Sequence, residues 1–171
     1  MPAALAVGSV VVVVCAWLSG THLSLSSGML NYDTLWYHMT FAARFVQDGR
    51  LTEAIDVGNA PSTYFPANAE LLHASGILAF GDRDVLSPLI NLAWLALALL
   101  AVWCCARRLG LGPVAVTAVA PVMVLPVVLK APGSALNDIA ALALLLAAFA
   151  LAFGGDPVSY THLTLPTTPY V

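Results

Sequence analysis

Charge is what this chain has least of. Asp, Glu, Lys and Arg together make up 9% of its 171 residues, against about 25% in an average soluble protein. A water-soluble domain cannot cover its surface with so few ionic groups, so that class is excluded. Basic residues are scarcer still. Six Lys and Arg and a formal charge of −3 form no patch that could follow a phosphate backbone, which excludes nucleic acid as a partner. Cysteine is nearly absent: Cys15 lies in an apolar run and Cys104-Cys105 are adjacent. Three such residues specify neither a disulfide framework nor a zinc site, and they read as buried thiols. What remains is 60% hydrophobic residues, and that places the chain in a lipid bilayer.

The hydrophobic runs predict an all-α, polytopic membrane fold. Residues 3–20 are apolar over about the 18 residues at which a transmembrane helix becomes the natural reading. Met1-Pro2 supplies no basic region of the kind that opens a signal peptide, which favours an anchor. A second span is predicted over 87–106, with Ser87 as N-cap, Pro88 at the first helical position and Arg107-Arg108 at the end. A third runs over 114–129, interrupted by Pro121 and Pro126, and a fourth over 135–153. The Arg107-Arg108 pair assigns its short loop to the cytoplasmic side. By alternation, the polar stretch 31–84 and the turn 130–138 both face outward, where acids from the two can meet. The expected localisation is the cytoplasmic membrane, crossed several times.

The external loop at 31–84 is the only long polar stretch and the expected seat of any chemistry. From Asp33 to Gly49, apolar residues recur at helical spacing, which predicts an amphipathic juxtamembrane helix with Trp36, Tyr37 and Phe41 in the headgroup zone. A second surface helix is predicted from Tyr64-Phe65-Pro66 to Phe80, after a connector over Gly58–Thr63. Asp33 stands where an N-cap belongs, and the same position holds a carboxylate just above the lipid, within reach of an acceptor hydroxyl. It is the candidate catalytic residue. Tyr37 and His38 follow it as candidate substrate-binding groups, although five residues of separation put His38 off the Asp33 face of an ideal helix and a lone histidine reads as a polar surface group. Glu70 and His73 have the i, i+3 spacing of metal-binding helices but lack further ligands, so a solvated face is expected there. In the second external turn, Asn137 and Asp138 form a helix start that can position a ligand. Lys130 can attract a phosphate or extend its charge from a span end. They complete the candidate substrate-binding set.

Taken in order, Tyr32-Asp33-Thr34-Leu35-Trp36-Tyr37-His38, Tyr64-Phe65-Pro66-Ala67-Asn68-Ala69-Glu70 and Gly133-Ser134-Ala135-Leu136-Asn137-Asp138 resemble the GT-C glycosyltransferases. The nearest likeness is to polytopic bacterial members akin to protein mannosyltransferases and lipid-A aminoarabinose transferases. The resemblance implies transfer of a sugar from a polyprenyl-phosphate donor to an acceptor at the outer membrane face, with Asp33 as the catalytic or ligand-organising acid. Thr34 stands where the mannosyltransferases place a second acid, which leaves a divalent metal open as a cofactor. A transporter or flippase of a lipid-linked or small polar substrate is the alternative, and a structural membrane subunit is a third. From Val158 the run Val-Ser-Tyr-Thr-His-Leu-Thr-Leu-Pro-Thr resembles a translated sequencing adapter. Residues 158–171 are therefore expected to be foreign, and 1–157 to be the front part of a longer, GT-C-like membrane domain.

Overall fold

A computed structural model describes residues 1–51 and 66–153. The expected connector at 58–63, the Tyr64-Phe65 start of the second surface helix and the tail at 158–171 lie outside them. Among the described residues every regular element is helical. Helix α1 (Pro2–Ser27) is followed by a π-helical turn (Thr34–His38) that continues into α2 (Met39–Asp48). Next come α3 (Asn68–Ala79), α4 (Ser87–Arg108), α5 (Pro113–Val119), two 3-10 segments (Ala120–Val124 and Val128–Lys130) and α6 (Asp138–Ala152).

Helices α1 and α4 are long and apolar enough to cross a membrane. At 1.5 Å per residue, their 26 and 22 residues reach about 39 and 33 Å, against a hydrocarbon core of about 30 Å. Both run past the ends expected from the sequence. The third and fourth expected spans differ more. The stretch 114–129 is not one helix: α5 gives way to 3-10 geometry at Ala120, Leu125 is extended ahead of Pro126, and a single 3-10 turn ends on Lys130. Two prolines explain the break, since each lacks an N–H and disfavours helical geometry in the residue before it. The stretch 135–153 becomes helical only at Asp138, and its 15 residues reach about 22 Å. Residues 131–135 ahead of it are a buried loop.

One core joins α1, α4, α6 and the 3-10 segment, with Val13, Trp17, Leu95, Ala98, Met123, Ile139 and Ala143 at its centre. The Trp17 indole N–H donates to the Met123 carbonyl at 2.9 Å, satisfying a backbone group that the proline-broken segment leaves without a helical partner. Outward, α1 presents Val7, Val11, Val12, Leu18 and Leu25. The α2–α3 pair has a separate small core of Phe41, Ala42, Phe45, Ala74 and Ile77, while Arg44, Gln47 and Asp48 face out. Phe41 is therefore a core residue of this pair and not the headgroup anchor expected from the sequence, whereas Trp36 is exposed.

Candidate functional site at the polar end of the bundle

Four contacts gather separate parts of the chain at one end of the bundle. Gly133, at φ +66, lies so close to α1 that an added Cβ would sit 2.4 Å from Ser24 Oγ and 3.0 Å from Thr21 Cα. One turn back along α1, a Cβ on Gly20 would meet Pro132 at 2.9 Å. Glycine at these positions lets the 131–137 loop lie against the helix backbone. From α4, the Asn91 side-chain amide donates to the carbonyls of Ala131, Ser134 and Leu136 at 2.9–3.0 Å. Finally, the Ala135 N–H donates to Thr34 Oγ1 at 3.0 Å in a buried contact. The C-terminal half of α1, the N-termini of α4 and α6 and the π turn therefore share one end. The exposed Arg107 and Arg108 lie beyond the Ala6–Val102–Val116 cluster at the other end.

The π turn sets the directions of the side chains before α2. Its closing bond runs from the Met39 N–H to the Thr34 carbonyl, five residues back, and the wider turn carries both Thr34 and His38 inward. Capping of this turn differs from the expectation. The side chain of Asn31, not Asp33, accepts the Thr34 N–H at 3.2 Å, and Asp33 already has helical backbone angles and makes no capping bond. Its partly exposed carboxylate is thus not committed to the role that a helix start would give it. Ser87 likewise does not cap α4; its hydroxyl is buried without a partner.

Tyr37 marks where the acids converge. Burial raises its phenol above the ordinary value, and Asp33, Glu70 and Asp138 each raise it further. Asp33 precedes the π turn, Glu70 lies on α3 and Asp138 on α6, so acids of both polar segments act electrostatically on one half-buried tyrosine. Pro66 and the α3 residues Asn68, Ala69 and Leu72 face Trp94 of α4, Asn137 and the α6 residues Asp138 and Ala141 across an open cleft of about 330 Å³. Asp138 is exposed at the first position of α6, where the helix dipole favours its negative charge. Lys130 is exposed at the end of its 3-10 turn and does not line this cleft.

Three residues expected at the surface are inside. His38, Glu70 and His73 are 1%, 3% and 2% exposed. His38 Nδ1 lies 2.5 Å from Glu70 Oε1, the ring N–H donating and the carboxylate accepting. His38 therefore faces α3 and not a substrate approaching Asp33, and Glu70 and His73 form no solvated face. Among the described residues no set of three His, Cys, Asp or Glu side chains has a geometry fit to hold a metal ion.

Sequence reasoning also passed over Thr34 and undervalued Asn91. The signal for Asn91 was present, since it is the one amide in an otherwise apolar span and a buried amide must find partners. Thr34 carried none, because its partner is 101 residues away. No protein-family model, curated protein or solved structure matches the chain.

Proposed function

We propose that the chain is part of a multi-pass membrane glycosyltransferase of the GT-C type, moving a sugar from a polyprenyl-phosphate donor to an acceptor at the outer face of the cytoplasmic membrane. The observation that carries this reading is an open cleft walled by Asn137 and Asp138 at the end of the bundle opposite the arginine pair, with Asp33 and Asp138 both near enough to raise the Tyr37 phenol. Two span-length helices supply the membrane setting, and the positive-inside rule puts the arginine end in the cytoplasm. Asp33, free of a capping duty, serves as the base. It takes the proton of the acceptor hydroxyl as that oxygen bonds to the anomeric carbon; the carbon–oxygen bond to phosphate breaks, and polyprenyl phosphate leaves with the electron pair. Attack opposite the leaving group inverts the anomeric centre. Tyr37, Asn137 and Asp138 orient the sugar and the acceptor, and the phosphate needs no further activation to leave. The transporter alternative draws less support, because the one amide inside a span, Asn91, is committed to three backbone carbonyls and offers nothing to a passing substrate.

The test is sugar transfer from a polyprenyl-phosphate donor in membranes carrying the full chain. Asp33→Asn is expected to lower the rate roughly 100-fold or more at unchanged protein abundance. Near-normal transfer by Asp33→Asn would remove its assignment as base, and loss in Asp138→Asn alone would move the base to α6. In intact cells with the native cysteines replaced, an impermeant thiol reagent should label Arg50→Cys and spare Leu109→Cys; the reverse pattern would put the cleft in the cytoplasm.

A further inference from the structure

Three ionisable side chains sealed between the π turn and α3 have no part in the transfer just described. His38, Glu70 and His73 are all buried, and each keeps one polar atom without a partner: His38 Nε2, Glu70 Oε2 and His73 Nδ1. A buried polar atom left unpaired is costly, and three together are more than an inert packing contact requires. The cluster also adjoins the candidate site. His38 stacks its ring on Tyr37, with centroids 4.0 Å apart, and the first turn of α3, which carries Glu70, forms one wall of the cleft.

We propose that this His–Glu–His cluster is an acid-sensitive latch: a proton taken up by His73 releases α3 from α2 and the π turn and thereby opens the cleft wall formed by residues 66–72. The cluster has one carboxylate for two imidazoles, and His38 already holds one of its oxygens. A proton on His73 would place a cation in that sealed space, on a ring whose Nδ1 has no partner. Opening lets water solvate that charge. The apolar contact opposing it is small: among the described residues, Phe41, Ala42, Phe45, Ala74 and Ile77 form the buried core between the two helices, with Met39, Val46 and Leu71 half-buried against it.

Burial lowers His73 from its ordinary 6.5 to about 4, with Glu70 opposing the shift and His38 adding to it. Because the closed value is below the open one, closure is fully favoured above pH 6.5 and loses that advantage as pH falls toward 4. Between α2 and α3, Asp82 and Asp84 line the groove beside Ile77, and Asp33 and Asp138 act on Tyr37, the neighbour of His38. On α2, Arg44 and Asp48 are exposed, and the ionisable groups of α4 (Cys104, Cys105, Arg107 and Arg108) all lie at its far end. The inference concerns the motion of α3 and stands whether or not the chain transfers a sugar.

Hydrogen exchange on the full chain in detergent, corrected for the intrinsic pH dependence of amide exchange, tests it. Protection over 68–79 should fall roughly tenfold or more between pH 7.5 and pH 5, while protection over 87–106 stays constant. His73→Leu should abolish that fall with α3 still protected, and His73→Gln serves the same purpose if leucine prevents folding. Protection of α3 that is flat down to pH 4 in the parent chain would overturn the proposal. So would an unchanged fall in a folded His73 variant, because the titrating group would then be another.

Discussion

The span-length helices α1 and α4 and the surface pair α2–α3 bury opposite things. Along α1 the outward face is aliphatic, with Val7, Val11, Val12 and Leu18 exposed, and the helix contributes Val13 and Trp17 to the core. Polar groups there are few: Trp17 donates to Met123 and, on α4, Asn91 donates to the 131–137 loop, while the Thr21 and Ser87 hydroxyls are buried without a partner. The α2–α3 pair does the reverse: it shows Arg44, Gln47 and Asp48 outward and hides Glu70 and His73 against His38. Burying a hydroxyl costs far less than burying an ionisable group, so the two regions hide polarity of different cost.

That contrast can be broken at several points. The largest effect is expected at Glu70, where removal of one partner leaves His38 buried and unpaired. Glu70→Ala should cost about 3–5 kcal/mol, measured as unfolding of the α2–α3 pair in detergent; a cost below about 1 kcal/mol would show that the cluster does not hold the pair together. Next comes a charge on the outward face of each region. Val12→Asp should reduce membrane insertion by about 2.5–3.5 kcal/mol if that face meets lipid, whereas Gln47→Asp on α2 should stay within about 0.5 kcal/mol. Equal, small effects at both would mean that α1 does not face lipid. Asn91→Leu removes one amide from three carbonyls and should cost about 1–3 kcal/mol. The loss should appear as faster exchange over 131–138 and, through Asp138, as weaker substrate binding before any loss of α4 itself. The smallest effect is expected for Trp17→Phe, which keeps the ring in the core and leaves the Met123 carbonyl without its donor. About 1 kcal/mol is expected by thermal unfolding.

Much of the helical content was legible because it depends on local pattern. The apolar runs gave α1 and α4 to within a few residues at the ends of α4, and the spacing of Leu35, Met39, Ala42 and Val46 gave α2. The third run is not one continuous helix for a local reason as well: hydropathy counts apolar residues and is blind to the backbone geometry that Pro121 and Pro126 forbid. The site was legible in part. Asp33 and Asp138 were found as acids of two polar segments at one end of the bundle, and both lie around Tyr37. Glu70, His73 and His38 were misplaced because the burial of a polar residue depends on whether a partner arrives from another helix. His38 Nδ1 meets Glu70 across 32 residues, a distance along the chain at which no periodicity speaks.

By itself, the sequence determined the apolar character of the long helices: with 9% charged and 60% hydrophobic residues it yields α1 and α4, both long and apolar enough to cross a membrane. It also determined most of the helical segments, since side-chain period acts over a few residues. Tertiary structure alone decided which end of the bundle became the site. Gly133 against Ser24, Asn91 against three carbonyls and Thr34 against Ala135 are contacts between residues 40 to 109 positions apart. Each depends on close approach and hydrogen-bond geometry that exist only once the helices have packed.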